Sequence, residues 1–257
     1  MARIVTIFNQ KGGVGKTTTV INLAAALGKL NKKVLVIDVD PQGNATSGLG
    51  IDKKSLELSI YDGFINGINL EQILQKTSAE NVDIIPSNVD LAGAEIELIG
   101  MNDRELVLEK AIRDIEDNYD FIFIDCPPSL GLLSINGLSA SHSVLIPIQC
   151  EYYALEGVSQ LVDTIMLVKK SLNPGLEIEG VVLSMFDGRT NLSIQVVDEV
   201  KKYFKGKVYT SIIPRNVRLA EAPSYGLSVI DYDPKSKGAE AYSELSEEFL
   251  YLQEEEY

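Results

Sequence analysis

Short apolar runs recur along the chain, each closed by turn residues: Ile4–Phe8, Val34–Val39, Val82–Ile85, Phe121–Ile124, Val144–Ile148, Ile178–Leu183 and Val208–Ile213. They are rich in Val and Ile, the pattern of strands buried on both faces of a parallel sheet. Longer segments between them repeat their apolar residues at helical spacing. Thr17–Leu30 carries Val20, Ile21, Leu23, Ala24 and Leu27 in this way, and Arg104–Asp117 carries Leu106, Leu108, Ile112 and Ile115. Ser159–Ser171 and Ile194–Phe204 read similarly. The alternation predicts an α/β fold, doubly wound, with a mostly parallel sheet and helices on both faces. No linker, repeat or low-complexity stretch interrupts the 257 residues, so one domain over 1–257 is expected. The tail from Glu240 to Tyr257 holds seven glutamates and no basic residue, and reads as a solvated terminal helix with a frayed end.

Composition narrows the classes. Hydrophobic residues make up 45% of the chain, too many for disorder. No apolar run reaches the ~18 residues of a membrane span, and the first nine residues do not form a signal peptide, which predicts a cytoplasmic protein. The net charge of −14 argues against coating DNA or an anionic membrane over the whole surface, but leaves room for a local basic patch. Cys126 and Cys150 have no metal-type spacing and no basic neighbour, so both read as packing residues. His142, the only histidine, lies in a Ser-rich turn and reads as structural.

The chemistry concentrates in three places. After the first strand comes Lys11-Gly12-Gly13-Val14-Gly15-Lys16-Thr17-Thr18, leading straight into a helix. Glycines let successive N–H groups turn toward phosphate oxygens, and the helix N-terminus adds partial positive charge. Lys16 can then reach the β- and γ-phosphates, and the Thr17 hydroxyl can ligate Mg²⁺. The second place is the strand end Asp38-Val39-Asp40-Pro41, where two acids face the carboxyl edge of the sheet. The third is Phe121-Ile122-Phe123-Ile124-Asp125-Cys126-Pro127-Pro128, an apolar strand ending in an acid of the type that holds Mg²⁺, followed by a proline-stiffened loop.

A standard phosphate loop wants glycine at position 10, where this chain has Gln10 followed by Lys11. That departure resembles the deviant Walker A motif of the ParA/MinD family of P-loop ATPases. Asp40-Pro41-Gln42-Gly43-Asn44-Ala45-Thr46, Asp125-Cys126-Pro127-Pro128-Ser129-Leu130-Gly131, Gln149–Gly157 and Ile213-Pro214-Arg215-Asn216-Val217-Arg218 extend the resemblance to chromosomal ParA proteins of the Soj type over nearly the whole chain. The resemblance implies an ATP- and Mg²⁺-dependent hydrolase, weak alone, that forms a homodimer on ATP. It then binds double-stranded DNA without sequence preference and is stimulated by a ParB-type centromere-binding protein. The expected location is the nucleoid, and the replication initiator is an expected further partner.

Carried over residue by residue, Lys11 acts across the dimer and Gly12 is where the subunits approach closely. Asp40 positions the attacking water and stands near the metal with Thr17 and Asp125, while Asp38 supports the loop from behind. Residues 12–18 cradle the phosphates, and Pro214 and Asn216 contact the adenine. The DNA face falls on Phe186–Arg218, where seven basic residues oppose three acids, with Arg189 the best match beside Lys201, Lys202 and Arg218. A dimer would double that patch and steepen DNA affinity.

Three alternatives are discriminated by single features. MinD-like membrane cycling needs a basic amphipathic C-terminal helix, which the glutamate-rich tail opposes. A nitrogenase-type iron protein needs cysteines placed to share a cluster. A nucleotide-state regulator of replication initiation or of sporulation-type transcription would use the same ATP site, so it overlaps the main reading.

Overall fold

The computed structural model describes residues 1–151 and 157–255. Tyr152–Glu156, part of one of the resemblance blocks, lies outside them. Eight strands, β1 (Arg3–Ile7), β2 (Val34–Asp38), β3 (Gln75–Lys76), β4 (Val82–Ile85), β5 (Phe121–Asp125), β6 (Ser143–Gln149), β7 (Glu177–Phe186) and β8 (Val208–Pro214), form one sheet in the order β3-β4-β2-β5-β1-β6-β7-β8. All described pairings are parallel except that of β3 with β4. The seven long strands are those expected from the apolar runs. The two-residue β3 escapes such a reading because it is too short to carry a period.

The helices are α1 (Lys16–Lys29), α2 (Asn44–Gly48), α3 (Ile60–Ile65), α4 (Leu70–Ile73), α5 (Leu91–Glu97), α6 (Val107–Ile112), α7 (Leu132–Ser139), α8 (Val158–Ser171), α9 (Asn191–Phe204), α10 (Val217–Glu221), α11 (Val229–Tyr232) and α12 (Lys237–Glu255). One core centres on Leu35, Ile37, Ile122, Ile124, Ile146 and Leu183, and a second on Val5, Ile7, Val36, Phe123, Leu145 and Val182. Alternate residues of the same strands belong to different cores, because successive side chains point to opposite faces. That is why the central residues of these strands are mostly apolar. The order in which strands are added reverses about β1, with β2 to β5 on one side of it and β6 to β8 on the other, and such a switch point opens a crevice at the carboxyl ends of the strands.

Two expectations are corrected. The helix expected over Arg104–Asp117 is only the six residues of α6, followed by a 3₁₀ turn at Glu116–Asn118. Asn136 on α7 holds the Arg104 carbonyl through its Nδ2 at 2.8 Å and accepts the Leu108 N–H at 3.1 Å, so the preceding residues are tied to α7 and do not extend the helix. Leu108, Ile112 and Ile115 are nonetheless buried, as the spacing required.

The second correction is the tail. It is α12, and only its outer face is solvated: Tyr242, Leu245 and Phe249 are buried against α1 and β8. Phe249 meets Phe121 and Phe123 edge-on at centroid distances of 5.3 and 5.9 Å. Glu248 accepts the N–H groups of Thr210 (2.7 Å) and Ser211 (2.9 Å) on β8, the last strand of the sheet. The glutamates alternate with apolar positions at the helical period, so their number concealed a packed face.

His142 ties two strands together. Its Nδ1 accepts the Ile4 N–H at 2.9 Å and its own N–H donates to the Ile4 carbonyl. Burial, with the nearby Arg3 charge, holds the imidazole below its ordinary pKa, in keeping with an unprotonated Nδ1 acceptor. Cys126 and Cys150 are buried with their thiol pKa values raised, by burial above all, so neither is a reactive thiolate.

Candidate functional site: a nucleotide cleft at the carboxyl edge of the sheet

The loop between β1 and α1 curls because Gly13 and Gly15 take φ of +75° and +95°, a region costly for any residue with a Cβ. Gly15 leads into α1, whose first N–H groups open toward a cleft of about 330 Å³. Gly12, Gly13, Gly15, Lys16, Thr17 and Thr18 line the cleft from the loop side, and Asp40, Gln42, Asn44, Pro128 and Met185 from the others. Backbone donors and the helix end make this wall suited to phosphate.

Lys16 is 93% buried, its ammonium bonded to the Lys11 carbonyl at 3.2 Å. Burial lowers its pKa, while the nearby carboxyl groups of Asp125 and Asp40 pull the other way. The charge is thus held for an anion that the loop surrounds.

Asp38 and Asp125 are neighbours in register across β2 and β5, both fully buried. Asp38 is satisfied: it accepts the Thr46 N–H (2.9 Å), the Thr46 hydroxyl (2.7 Å) and the Asp40 N–H (3.1 Å). Burial nevertheless pushes its pKa up to about 6. Asp125 is the contrast. Neither of its oxygens has a hydrogen-bond partner of proper geometry. Its pKa lies well above the carboxylate range, first through burial and then through Asp38; the neighbouring Thr17 hydroxyl and Lys16 charge offset this only in part. An unpartnered buried carboxylate beside a hydroxyl and a phosphate cradle is the donor set expected of a hard divalent cation shared with nucleotide oxygens. No group of three or more His, Cys, Asp or Glu is arranged for a metal among the described residues, so oxygens from outside the chain would complete the shell.

Asp40 stands at the cleft wall, braced through its own loop: Oδ1 accepts the Gln42 N–H at 2.9 Å, and its carbonyl accepts the Ser87 hydroxyl at 2.8 Å. A second cleft of about 250 Å³ continues from the first and shares Gly15, Thr18 and Met185 with it. Pro214, Arg215, Asn216, Leu219 and Tyr242 line it, so Pro214 and Asn216 are brought beside the phosphate cradle. Asn216 also caps α10 by accepting the Arg218 N–H at 2.9 Å. A triphosphate in one cleft and a base in the other would be joined past Met185.

A family model described as an AAA domain matches residues 2–178. The sporulation initiation inhibitor protein Soj of Bacillus subtilis is 58% identical over 96% of this chain and 98% of its own length. The chromosome partitioning protein ParA of Myxococcus xanthus is 53% identical over 97% and 88%. This chain belongs to the Soj/ParA family of chromosome-partitioning ATPases.

Solved structures agree on the fold. A cobyrinic acid a,c-diamide synthase from Mycobacterium smegmatis, crystallised with ADP and magnesium, superposes with a TM-score of 0.88 at 37% identity, covering 100% of this chain and 97% of that one. The cell division ATPase MinD of Pyrococcus furiosus does so at 0.81 and 29%, covering 98% and 100%.

Two features of the loop bear on the roles expected of it, and a third, at Met185, went unread in the sequence. Lys11 does not line the phosphate cleft; its side chain is exposed on the outer side of the loop, beside Val14, Gln149 and Val158. A Cβ on Gly12 would meet nothing within 4 Å, so no residue of this chain demands glycine there. Met185 is left-handed at φ +53°, rare for a long side chain. Its neighbours impose that shape: the Ser184 hydroxyl donates to the Val14 carbonyl (2.8 Å) and the Phe186 carbonyl accepts the Arg215 N–H (3.0 Å), with the β7–β8 register shifting between Leu183 and Phe186. No local signal marks a methionine for this, nor Tyr242, which reaches the site from the far end of the chain.

Met185→Gly is expected to remove strain of about 1–2 kcal/mol and to leave thermal stability within about 1 kcal/mol of the parent, since glycine also frees the unfolded chain. Loss of the thioether wall should weaken an ATP analogue roughly 3–10-fold in calorimetry. Unchanged affinity would remove Met185 from the site.

The basic segment does not form one patch. Arg189 precedes α9, whereas Lys201 and Lys202 occupy its last turn, ~15 Å away at 1.5 Å per residue. Arg189, Arg215 and Arg218 share the nucleotide edge of the sheet with Asp187, Glu151, Glu221 and Asp233, to which they are ion-paired. Lys202 pairs with Glu199. Such exposed pairs are weakly held and exchange readily for phosphate.

Proposed function

We propose that this chain is a Mg²⁺-dependent ATPase that dimerises on ATP, binds DNA without sequence preference in that state, and is stimulated by a ParB-type partner during chromosome or plasmid partition. The observation that carries the reading is the division of labour in the loop: Lys16 is buried in the cleft, while the Lys11 side chain is exposed outside it and Gly12, at the cleft rim, leaves open space where a Cβ would stand. An outward lysine beside an open glycine surface suits a second copy laid over the nucleotide, each Lys11 then reaching its neighbour's phosphates.

In the mechanism, the loop amides and Lys16 hold the phosphates and offset their charge. Asp40, braced by Gln42 and Ser87, orients water toward the terminal phosphorus. Pro214 and Asn216 hold the base. Thr17 and Asp125 fit Mg²⁺, which supplies neutralisation of developing charge on the phosphate oxygens. Arg189 and Arg218 lie on the nucleotide edge and are assigned to DNA ahead of Lys201 and Lys202 at the opposite end of α9. The outer glutamates of α12 disfavour an anionic membrane, and among the described residues no helix is long and apolar enough to cross one. The B. subtilis relative is named as a sporulation inhibitor, which favours a second output of the same nucleotide state, onto regulatory proteins.

Light scattering after size exclusion tests the reading. With ATP and Mg²⁺ the parent should shift toward a dimer and co-elute with a non-specific duplex at low salt, whereas Lys16→Ala should remain monomeric and free of DNA. A Lys16→Ala protein that dimerises with ATP would refute the ATP-gated clamp.

A further inference from the structure

Strand β1 ends at Ile7, short of the lysine that stands outside the cleft. How the chain covers the gap decides where Lys11 lies. The parallel ladder with β6 runs on as far as Phe8, whose N–H donates to the Leu145 carbonyl at 3.1 Å. The next bond of that ladder would run from the Gln10 N–H to the Pro147 carbonyl. A side chain makes it instead: Asn9 Nδ2 donates to the Pro147 carbonyl at 2.8 Å. Pro147 has no N–H with which to extend the ladder in return, so the main chain is free to leave the sheet here.

The other end of the Asn9 amide serves Lys11. Its Oδ1 accepts the Lys11 N–H at 3.0 Å, so one side chain ties the Lys11 backbone to β6. Gln10 ties it to a second element, its Nε2 donating to the Thr164 hydroxyl on α8 at 3.0 Å. The Lys11 carbonyl is held by a third group, the Lys16 ammonium, at 3.2 Å. Nucleotide weakens this third hold, because phosphate oxygens compete for the same ammonium. Beyond Lys11 come Gly12 and Gly13, where an added Cβ would meet nothing within 4 Å and where the backbone has glycine's full freedom. With nucleotide bound, the hold on Lys11 therefore rests on Asn9 and Gln10.

A lysine needs such a hold. Its side chain has many rotamers, and fixing the backbone that carries it removes part of the ordering cost of any contact it makes. Neither Asn9 nor Gln10 lines the phosphate cleft. Asn9 lines the small cavity beside Lys11, with Val14 and Val158.

We propose that Asn9 and Gln10 are positioning residues for Lys11: they fix the backbone from which that lysine reaches the nucleotide of a second copy of the chain, and so set the strength and turnover of the ATP-bound dimer. The inference rests on the reading of Lys11 as a lysine acting across the dimer.

The test uses the full-length chain with Asn9→Ala, which removes both Asn9 bonds, and Thr164→Val, which removes the acceptor of Gln10 from a half-buried position on another element. ADP affinity in calorimetry should stay within about twofold of the parent for both, because the cradle is untouched. The dimer formed with a non-hydrolysable ATP analogue and Mg²⁺ should weaken in sedimentation. Loss of one such hold is a factor of roughly 3–10 per site, and a two-fold interface counts it twice, so the dimer Kd should rise about 10–100-fold. Turnover per dimer should fall with KM for ATP unchanged, and Thr164→Ser, which keeps the hydroxyl, should restore both.

Lys11→Ala shows whether the effect passes through the lysine. Adding Asn9→Ala to Lys11→Ala should lower the residual turnover by less than about twofold. Parental dimer strength and turnover in Asn9→Ala and Thr164→Val overturn the proposal. A loss that adds in full to that of Lys11→Ala overturns it too, as does ADP affinity falling in step with turnover, since the holds would then serve the loop as a whole. Should Asn9→Ala fail to fold, Thr164→Val against Thr164→Ser gives the same decision. A Lys11→Ala protein that dimerises and turns over like the parent is a separate result, which removes the reading of Lys11 on which the inference rests.

Discussion

Asp40→Ala is expected to cut ATP turnover by roughly two to three orders of magnitude while leaving nucleotide binding and the ATP-bound dimer in place. The cradle formed by residues 12–18 does not use the Asp40 side chain, which contributes only its carboxylate to the cleft wall and one bond to the Gln42 N–H. If Asp40 orients the attacking water, as proposed, its removal takes away that group and little else, and losing one positioned base or orienting group typically costs ~10²–10⁴ in rate. Single-turnover hydrolysis with light scattering in parallel gives the answer: slow hydrolysis in a persistent dimer is the expected outcome. Turnover close to that of the parent would move the water-orienting role away from Asp40.

Asp125→Asn should have the opposite signs for stability and function. In the nucleotide-free chain two fully buried carboxyl groups sit side by side, and only Asp38 has partners. An unsatisfied buried polar group costs about 1–3 kcal/mol, more when charged, so the neutral isostere is expected to raise Tm in EDTA by roughly 2–10 °C for a chain of this size. Both carboxyl pKa values are raised above those of the unfolded chain. The native state therefore binds protons more tightly, and the stability this contributes is present in acid and lost as pH rises through about 6, the value for Asp38. The advantage of Asp125→Asn should accordingly be larger at pH 7.5 than at pH 5. The same variant should lose most of the Mg²⁺ dependence of nucleotide affinity. Thermal scans in EDTA at the two pH values check the first claim, and titration of ATP with and without Mg²⁺ checks the second. A variant less stable than the parent at pH 7.5 would mean that Asp125 has a compensating partner in the native chain.

The legible parts of this molecule are those whose physics is local. Strands buried on both faces have few polar residues to disguise them, so β1, β2 and β5 stand out along the chain. Gly13, Gly15, Lys16 and Thr17 are legible because a phosphate turn needs those residue types in that order. Asp40 and Asp125 are legible because an acid after an apolar strand must emerge at the sheet's carboxyl edge. What stayed hidden depends on distant neighbours. The left-handed backbone of Met185 is imposed by partners at Val14 and Arg215, not by methionine itself. The shortness of α6 is set by Asn136, and the buried face of α12 by Phe121 and Phe123. The basic residues from Arg189 to Arg218 look like one patch in sequence. They separate in space because a helix of fourteen residues carries its two ends to opposite edges of the sheet.

The hold of Glu248 on β8 bears on how this chain behaves in a crowd. An edge strand with open N–H groups is a template on which a neighbouring chain can add a strand of its own. A carboxylate seated on Thr210 and Ser211 takes up two of those donors and sets a negative charge where an incoming backbone would lie. The acidic C-terminal helix is in this respect a guard against aggregation at the exposed edge of the sheet.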